Sequence, residues 1–184
     1  MVHNKEKVYV PELIFGHLLT SSNYNDNLKK VTGGRNGFGA KLTNIFSKKF
    51  TVTTADSQNK KKYSQVFKNN LSEICPPKID AFSADAYDFT EVAFEPDFKR
   101  FHMHGGLDKD IESLLMKRVY DLAGVTPASV GVYLNGKKIT GVKNFQTYSD
   151  LYFKDKQQED AKVFKVYEAV GQRWEVCAAL SESG

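Results

Sequence analysis

The chain has 184 residues, a length typical of one domain or slightly more. Its hydrophobic content of 41%, with 13 Phe and 9 Tyr, can fill a core, and no apolar run is long enough to cross a membrane. The net charge of +4 is compatible with an anionic ligand but is too small and too dispersed to favour a basic nucleic-acid-binding domain. The two cysteines, Cys75 and Cys177, are far apart and are expected to be reduced thiols of an intracellular protein.

The first elements in chain order are a short helix, a long polar loop and a second helix. Residues 10–19 are predicted to be helical, with Pro11 at a favourable first position. Residues 20–37 are polar and rich in turn-forming residues, and a loop of this length in a compact domain is usually functional. Because glycines lie at its far end, we interpret this loop as a hinged lid. The next helix is predicted over residues 38–47.

The junction between the loop and the second helix, TGGRNGFGAKL at residues 32–42, is the most informative part of the chain. Its glycines allow backbone N–H groups to approach a ligand, and Arg35 and Lys41 add positive charge beside a helix start. The pattern predicts a cradle for phosphate; the alternative is a glycine-rich turn that precedes a helix. The string is not a P-loop, because Ala40 separates Gly39 from Lys41, and its GxxGxG order differs from the dinucleotide motif.

The middle of the chain is predicted to be mainly β structure. Residues 49–55 and 62–69 form a predicted hairpin with a polar tip at 57–61, where the lysine run 60–62 is solvated. Residues 75–86 are interpreted as a connection, and residues 88–95 as another strand.

The second half begins with the clearest helix, over residues 108–123, capped by Asp108 and ended by Gly124. The Asn-Gly turn at 135–136 predicts a hairpin of strands 129–134 and 137–140. An amphipathic aromatic segment at 144–154 and a hairpin of strands 163–170 and 173–180 follow. This order predicts an α+β fold in which helices cover a mixed, mostly antiparallel sheet. The four histidines form no recognisable metal set, so no metal ligand is expected.

Two segments, VYVPELIFGHLLTSSNYND and KKVTGGRNGFGAKLTNIFS, closely resemble the ATPase region of the eukaryotic type IIA DNA topoisomerases. The resemblance continues in LDKDI, RVYDLAG, YLNGKKI, YSDLYFKDK and RWEVC, and is least clear over residues 59–85. It implies the GHKL (Bergerat) two-layer sandwich that is also found in gyrase and histidine kinases. Residues 1–148 would be the C-terminal part of the ATP-binding domain, and residues 149–184 the start of a transducer domain.

The resemblance also implies roles for individual residues. Residues 18–37 would be the ATP lid, and Thr90 would be the strand threonine that helps to hold adenine. The lid residues implied to contact nucleotide are Ser21, Ser22 and Asn23. The residues implied to form the triphosphate cradle are Arg35, Asn36, Gly37, Phe38, Gly39, Ala40 and Lys41.

Other functional groups of the family would precede or follow this region. The glutamate that activates water, the asparagine that binds Mg²⁺ and the adenine-binding Asp-Gly motif are expected upstream, and the lysine that reaches the γ-phosphate downstream. Glu12 is interpreted as a surface carboxylate instead. We therefore expect an internal fragment of a much larger enzyme, with no catalytic residue of its own and without ATPase activity when isolated.

The implied function is ATP binding in an ATP-dependent type II DNA topoisomerase. ATP would close a homodimeric gate, and the enzyme would pass one duplex through a break in another, binding DNA through other domains. ATP and Mg²⁺ are the expected cofactors, the nucleus is the expected location, and no membrane partner is expected. The alternative is a nucleotide-gated GHKL module that binds proteins, as in a chaperone-like clamp.

Overall fold

The structure is a computed structural model that describes residues 1–21, 23–25, 27–29, 34, 36–153, 164–171 and 173–180. Contacts between residues divide the chain into two compact units, Met1–Gly106 and Leu107–Gly184. This division differs from the domain boundary at residues 148 and 149 that the family resemblance implies, and that boundary stays a prediction. No helix in the described ranges combines the length and the hydrophobicity needed to cross a bilayer.

The first unit consists of two short helices and a five-stranded antiparallel sheet. The helices are α1 (Val10–Gly16) and α2 (Gly39–Ile45), each shorter than its predicted span. The strands are β1 (Ser47–Asp56), β2 (Lys61–Lys68), β3 (Glu73–Ile74), β4 (Lys78–Ala81) and β5 (Phe89–Pro96). A 3₁₀ turn, Phe98–Phe101, follows β5.

The sheet is ordered β3-β2-β1-β5, and β4 also pairs with β2. The predicted hairpin of β1 and β2 is confirmed, with Phe50 opposite Phe67 and Val52 opposite Gln65. The predicted connection at 75–86 is wrong in part, because residues 78–81 pair with β2. The sequence contains no turn signal that separates this short strand from a loop, so only the pairing partner reveals it.

The core of the first unit lies on one face of β1 and β2. Phe50, Val52, Tyr63 and Phe67 are buried there because side chains alternate between the two faces of a strand. Phe15 of α1 packs against this cluster. A Cβ atom on Gly16 would come within 2.8 Å of Phe67, so glycine allows the end of α1 to lie directly on the sheet.

The second unit contains two helices and two short hairpins. The helices are α3 (Lys109–Val125) and α4 (Phe145–Ser149), and a 3₁₀ turn (Asp150–Tyr152) follows α4. The strands are β6 (Tyr133–Leu134), β7 (Lys137–Lys138), β8 (Lys165–Val170) and β9 (Trp174–Ala179). Both predicted hairpins are present, but β6 and β7 have only two residues each. Residues 154–163 and Gln172 of the predicted segments lie outside the described residues.

Helix α3 confirms the predicted cap but not the predicted end. The Asp108 carboxylate accepts a hydrogen bond from the backbone N–H of Ile111 at 2.8 Å. Gly124 lies inside the helix, not after it. A Cβ atom at Gly124 would lie 2.7 Å from Tyr148 of α4, so the glycine allows two helices to approach closely and is not a helix terminator.

Candidate functional site

Lys41 is the buried cation of the candidate site. Its side chain points from the first turn of α2, and only 3% of the residue is exposed. The ammonium group donates a hydrogen bond to the backbone carbonyl of Gly37 at 2.8 Å. Within the described part of the chain, no carboxylate pairs with it. Burial lowers the pKa of Lys41, because desolvation disfavours its charged form.

Gly37 provides the backbone conformation beside this cation. Its φ of +64° lies in the left-handed region that favours glycine. A Cβ atom on Gly37 would lie 3.2 Å from the Ser21 Cβ and 3.3 Å from the Lys41 Nζ. Gly37, Ser21 and Lys41 therefore enclose a small space that any larger residue would fill.

Residues of the predicted lid contact the predicted cradle. The Asn23 side-chain amide donates to the Gly34 carbonyl at 3.0 Å, and the Tyr24 hydroxyl donates to the Asn36 carbonyl at 3.4 Å. The Ser21 hydroxyl accepts from the Asn23 backbone N–H at 3.1 Å. The structure thus brings Ser21 and Asn23 together with Asn36, Gly37 and Lys41, as the resemblance implies.

Phe38, Gly39 and Ala40 complete the described cradle where α2 begins. Phe38 is the N-cap residue, and no side chain caps the helix. No atom lies within 4 Å of a Cβ built on Gly39, so this position is open in the structure. Ser22 and Arg35, and the lid residues 30–33, lie outside the described residues, and their predicted roles stay predictions.

Thr90 belongs to a different part of the unit. It lies on β5 opposite Thr54 of β1, and the two hydroxyls are 2.9 Å apart. No hydrogen bond described for this unit joins Thr90 to Gly37 or Lys41. Its implied contact with adenine therefore stays a prediction.

Sequence reasoning missed Asn44, which connects the helices on either side of the lid. Asn44 is 1% exposed, and its amide donates to the Phe15 carbonyl of α1 at 3.1 Å. The amide oxygen of Asn44 is buried without a hydrogen-bond partner among the described residues. An asparagine in the helical segment AKLTNIF gives no sign of this role, because its partner is 29 residues away.

Glu12 is not the surface carboxylate that the sequence suggests. It accepts a hydrogen bond at 2.9 Å from the side chain of Gln65, which is 1% exposed in the core of the sheet. It also lies 3.5 Å from the His17 Nε2. The buried amide of Gln65 needs an acceptor, and Glu12 supplies one. Glu12 thus connects α1 to β2 and has a structural role.

The residues of this site fit a phosphate group and do not by themselves fit a metal ion. A buried ammonium group next to a glycine with positive φ can bind an anion by charge and by backbone N–H groups. Among the described residues, no group of three His, Cys, Asp or Glu side chains could hold a metal.

Comparison with known proteins gives long alignments at high identity. DNA topoisomerase 2-beta of Gallus gallus is 55% identical over 183 residues, which is 99% of this chain and 11% of the relative. DNA topoisomerase 2 of Arabidopsis thaliana is 51% identical over 98% of this chain and 12% of the relative. The chain therefore spans about a tenth of the length of these curated relatives. No family model matches the sequence.

Solved structures agree with these alignments. The ATPase region of Saccharomyces cerevisiae topoisomerase II superposes with a TM-score of 0.88 at 47% identity, over 99% of this chain and 46% of that chain. The ATPase and transducer domains of Balamuthia mandrillaris DNA topoisomerase II give 0.82 at 41% identity, over 96% and 43%. The chain belongs to the eukaryotic DNA topoisomerase 2 family, and it has the GHKL fold of part of the ATPase region of those enzymes.

Proposed function

We propose that this chain binds ATP as part of an ATP-dependent type II DNA topoisomerase. In such an enzyme, ATP closes a dimeric gate, and one DNA duplex passes through a transient break in another. The observation that carries the proposal is Lys41, a buried ammonium group beside Gly37 within a sequence 55% identical to a DNA topoisomerase 2-beta.

The chain's own residues would bind and orient the triphosphate. Lys41 would exchange the Gly37 carbonyl for a phosphate oxygen, which is a stronger partner because the bond is between opposite charges. Backbone N–H groups from Gly37 to Lys41 would complete the cradle. Ser21 and Asn23 would cover the bound phosphates, because their contacts already join the lid to Gly34 and Gly37. ATP, when bound, supplies the phosphoanhydride bond whose hydrolysis resets the gate.

Several features of the whole enzyme belong to the same proposal. Mg²⁺ would accompany ATP, the enzyme would act as a homodimer, and its location would be the nucleus. DNA would bind mainly to other domains of the enzyme. The alternative of a chaperone-like protein clamp has less support, because the relatives reported above are DNA topoisomerases.

The test is ATP-dependent unlinking of catenated DNA circles by the natural protein that carries this sequence. We expect unlinking with ATP, none without it, and loss of the activity in Lys41→Ala. A control variant, Lys49→Ala, removes an exposed lysine of β1 and should retain activity. Unlinking that needs no ATP, or ATP binding without any DNA unlinking, would contradict the proposal.

A further inference from the structure

Positive charge is concentrated in one stretch of the second unit. The whole chain has 26 basic and 22 acidic residues, but residues 122–149 contain three lysines and no acidic residue. These lysines are Lys137, Lys138 and Lys143, and all three are exposed. The stretch therefore differs from the dispersed charge of the rest of the chain.

The three lysines lie on one continuous surface around the β6–β7 hairpin. Lys138 lines two grooves: one of about 320 Å³ that Lys143 also lines, and one of about 520 Å³ that Lys137 also lines. The Asn135-Gly136 turn has positive φ at both residues, which places Lys137 directly after the bend and opposite Leu134. We call Lys137, Lys138 and Lys143 the basic hairpin surface.

The charge of the basic hairpin surface is not neutralised within the unit. No ion pair is described for any of its three lysines. The acidic residues that flank the stretch already have partners: Asp121 accepts from Lys117 at 2.8 Å and lies 3.3 Å from Arg118, and Asp150 pairs with Lys165. The surface thus presents three ammonium groups that can pair with an external polyanion.

We propose that the basic hairpin surface binds the phosphate backbone of double-stranded DNA. This inference rests on the proposed function, in which the enzyme acts on DNA duplexes. Lysines bind phosphate as point charges and neutralise it without reading sequence, as a surface that contacts a moving duplex requires. An acidic peptide is the competing partner, and the experiment separates the two.

The experiment measures the binding of the 184-residue chain to a short fluorescent DNA duplex by anisotropy over a range of salt concentrations. The variant carries Lys137→Gln, Lys138→Gln and Lys143→Gln. Each phosphate contact contributes about 0.9 to the slope of log affinity against log salt, so we expect the slope to fall by about 2 to 3. Changing the duplex sequence should leave the affinity nearly the same.

A matched control removes three charges from the other unit. Lys60→Gln, Lys61→Gln and Lys62→Gln alter the tip of the β1–β2 hairpin, and this variant should keep the wild-type salt slope. Equal slopes for the two triple variants, or an acidic peptide that competes with DNA at equal charge concentration, would overturn the proposal. Binding of a non-hydrolysable ATP analogue is measured in parallel: its absence in the wild type contradicts the proposed function, whereas an unchanged DNA slope contradicts only this inference.

Discussion

At Gly37, backbone conformation and packing both require glycine. The φ of +64° disfavours any L-residue with a side chain, and the nearest atoms belong to Ser21 and Lys41, the residues implied to bind nucleotide. Gly39 differs, since it begins α2 and a Cβ there would meet no atom. The sequence motif presents these glycines as equivalent, but the structure separates them.

We therefore expect Gly37→Ala and Gly39→Ala to have different effects on stability. The left-handed conformation costs an L-residue about 1–2 kcal/mol, so Gly37→Ala should lower the free energy of unfolding by about that amount. Gly39→Ala should leave it unchanged or slightly raised, because alanine is the better helix former. Urea unfolding of the two variants measures the difference, and the reverse order would refute the assignment of Gly37.

A second residue-scale prediction concerns ligand selectivity at Lys41. Lys41→Ala should weaken ATP more than adenosine, because the lost bond is to phosphate and is worth about 1.5–3 kcal/mol. Since burial lowers the pKa of Lys41, ATP affinity should begin to fall with rising pH before the ordinary lysine range. Calorimetry with both ligands across pH tests both expectations. Equal losses for the two ligands would show that Lys41 does not contact phosphate.

At the scale of elements, the site depends on how α1 and α2 are held together. The lid leaves the end of α1 and returns to the start of α2, so the spacing of the two helices sets where lid and cradle meet. Asn44 connects the helices through the Phe15 carbonyl, and Glu12 connects α1 to Gln65 of β2.

We expect Asn44→Ala to destabilise the first unit by about 1–3 kcal/mol, because it leaves the Phe15 carbonyl without its donor. ATP affinity should also fall, although Asn44 is not one of the implied nucleotide contacts. Thr43→Ala is the matched control on the same helix and should change stability by less than about 0.5 kcal/mol. Thermal unfolding with and without an ATP analogue compares the two, and equal behaviour would remove Asn44 from the support of the site.

The end of β5 is stabilised by a charged cluster around Asp97, which is 5% exposed. Lys48 lies 3.1 Å from the Asp97 carboxylate, and the Asn70 amide donates to it at 3.1 Å. The hydrogen bond from Lys48 and the one from Asn70 lower the pKa of Asp97. A carboxylate with a lowered pKa stabilises the folded state above its unfolded pKa of about 3.9 and loses this contribution as pH falls below it.

Asp97→Asn should therefore reduce stability at neutral pH and flatten its acid dependence. In wild type, the free energy of unfolding should drop between about pH 4 and pH 2, and the variant should lose less over the same range. Asp85→Asn, at an exposed residue of the same unit, is the control and should follow the wild-type curve. Parallel curves for wild type and Asp97→Asn would contradict the prediction.

At the scale of the whole molecule, the two units differ in how completely they bury their apolar residues. The first has a defined cluster around Phe50 and Phe67. In the second, Leu114, Leu115 and Leu122 of α3 are each more than 50% exposed, although they follow the helical spacing that predicts a buried face. The pattern of α3 is confirmed as a helix, but burial of that face is not.

We expect the isolated 184-residue chain to turn over ATP no faster than background. A positioned general base contributes about 10²–10⁴-fold to such a reaction, and Glu12 is occupied by the Gln65 amide. Phosphate release with and without Mg²⁺ measures this. Steady, Mg²⁺-dependent turnover would show that a base exists in the chain, and Glu12→Gln and Glu91→Gln would then identify it.

Local order along the chain determined much of this protein. The alternation of β1 and β2, the turn between them, and the capped periodic helix α3 could be predicted because each depends on residues close in sequence. The glycine string next to Lys41 likewise indicated a phosphate cradle, and the wording of the lid indicated the family.

Only the tertiary structure decided which polar groups are buried and what they bind. Gln65 meets Glu12 across 53 residues, and Asn44 meets Phe15 across 29. The left-handed φ of Gly37, the position of Gly124 inside α3 and the pairing of β4 have the same origin. Each depends on which elements pack together, and a desolvated polar group is satisfied by the partner that packing places beside it, wherever that partner lies in the sequence.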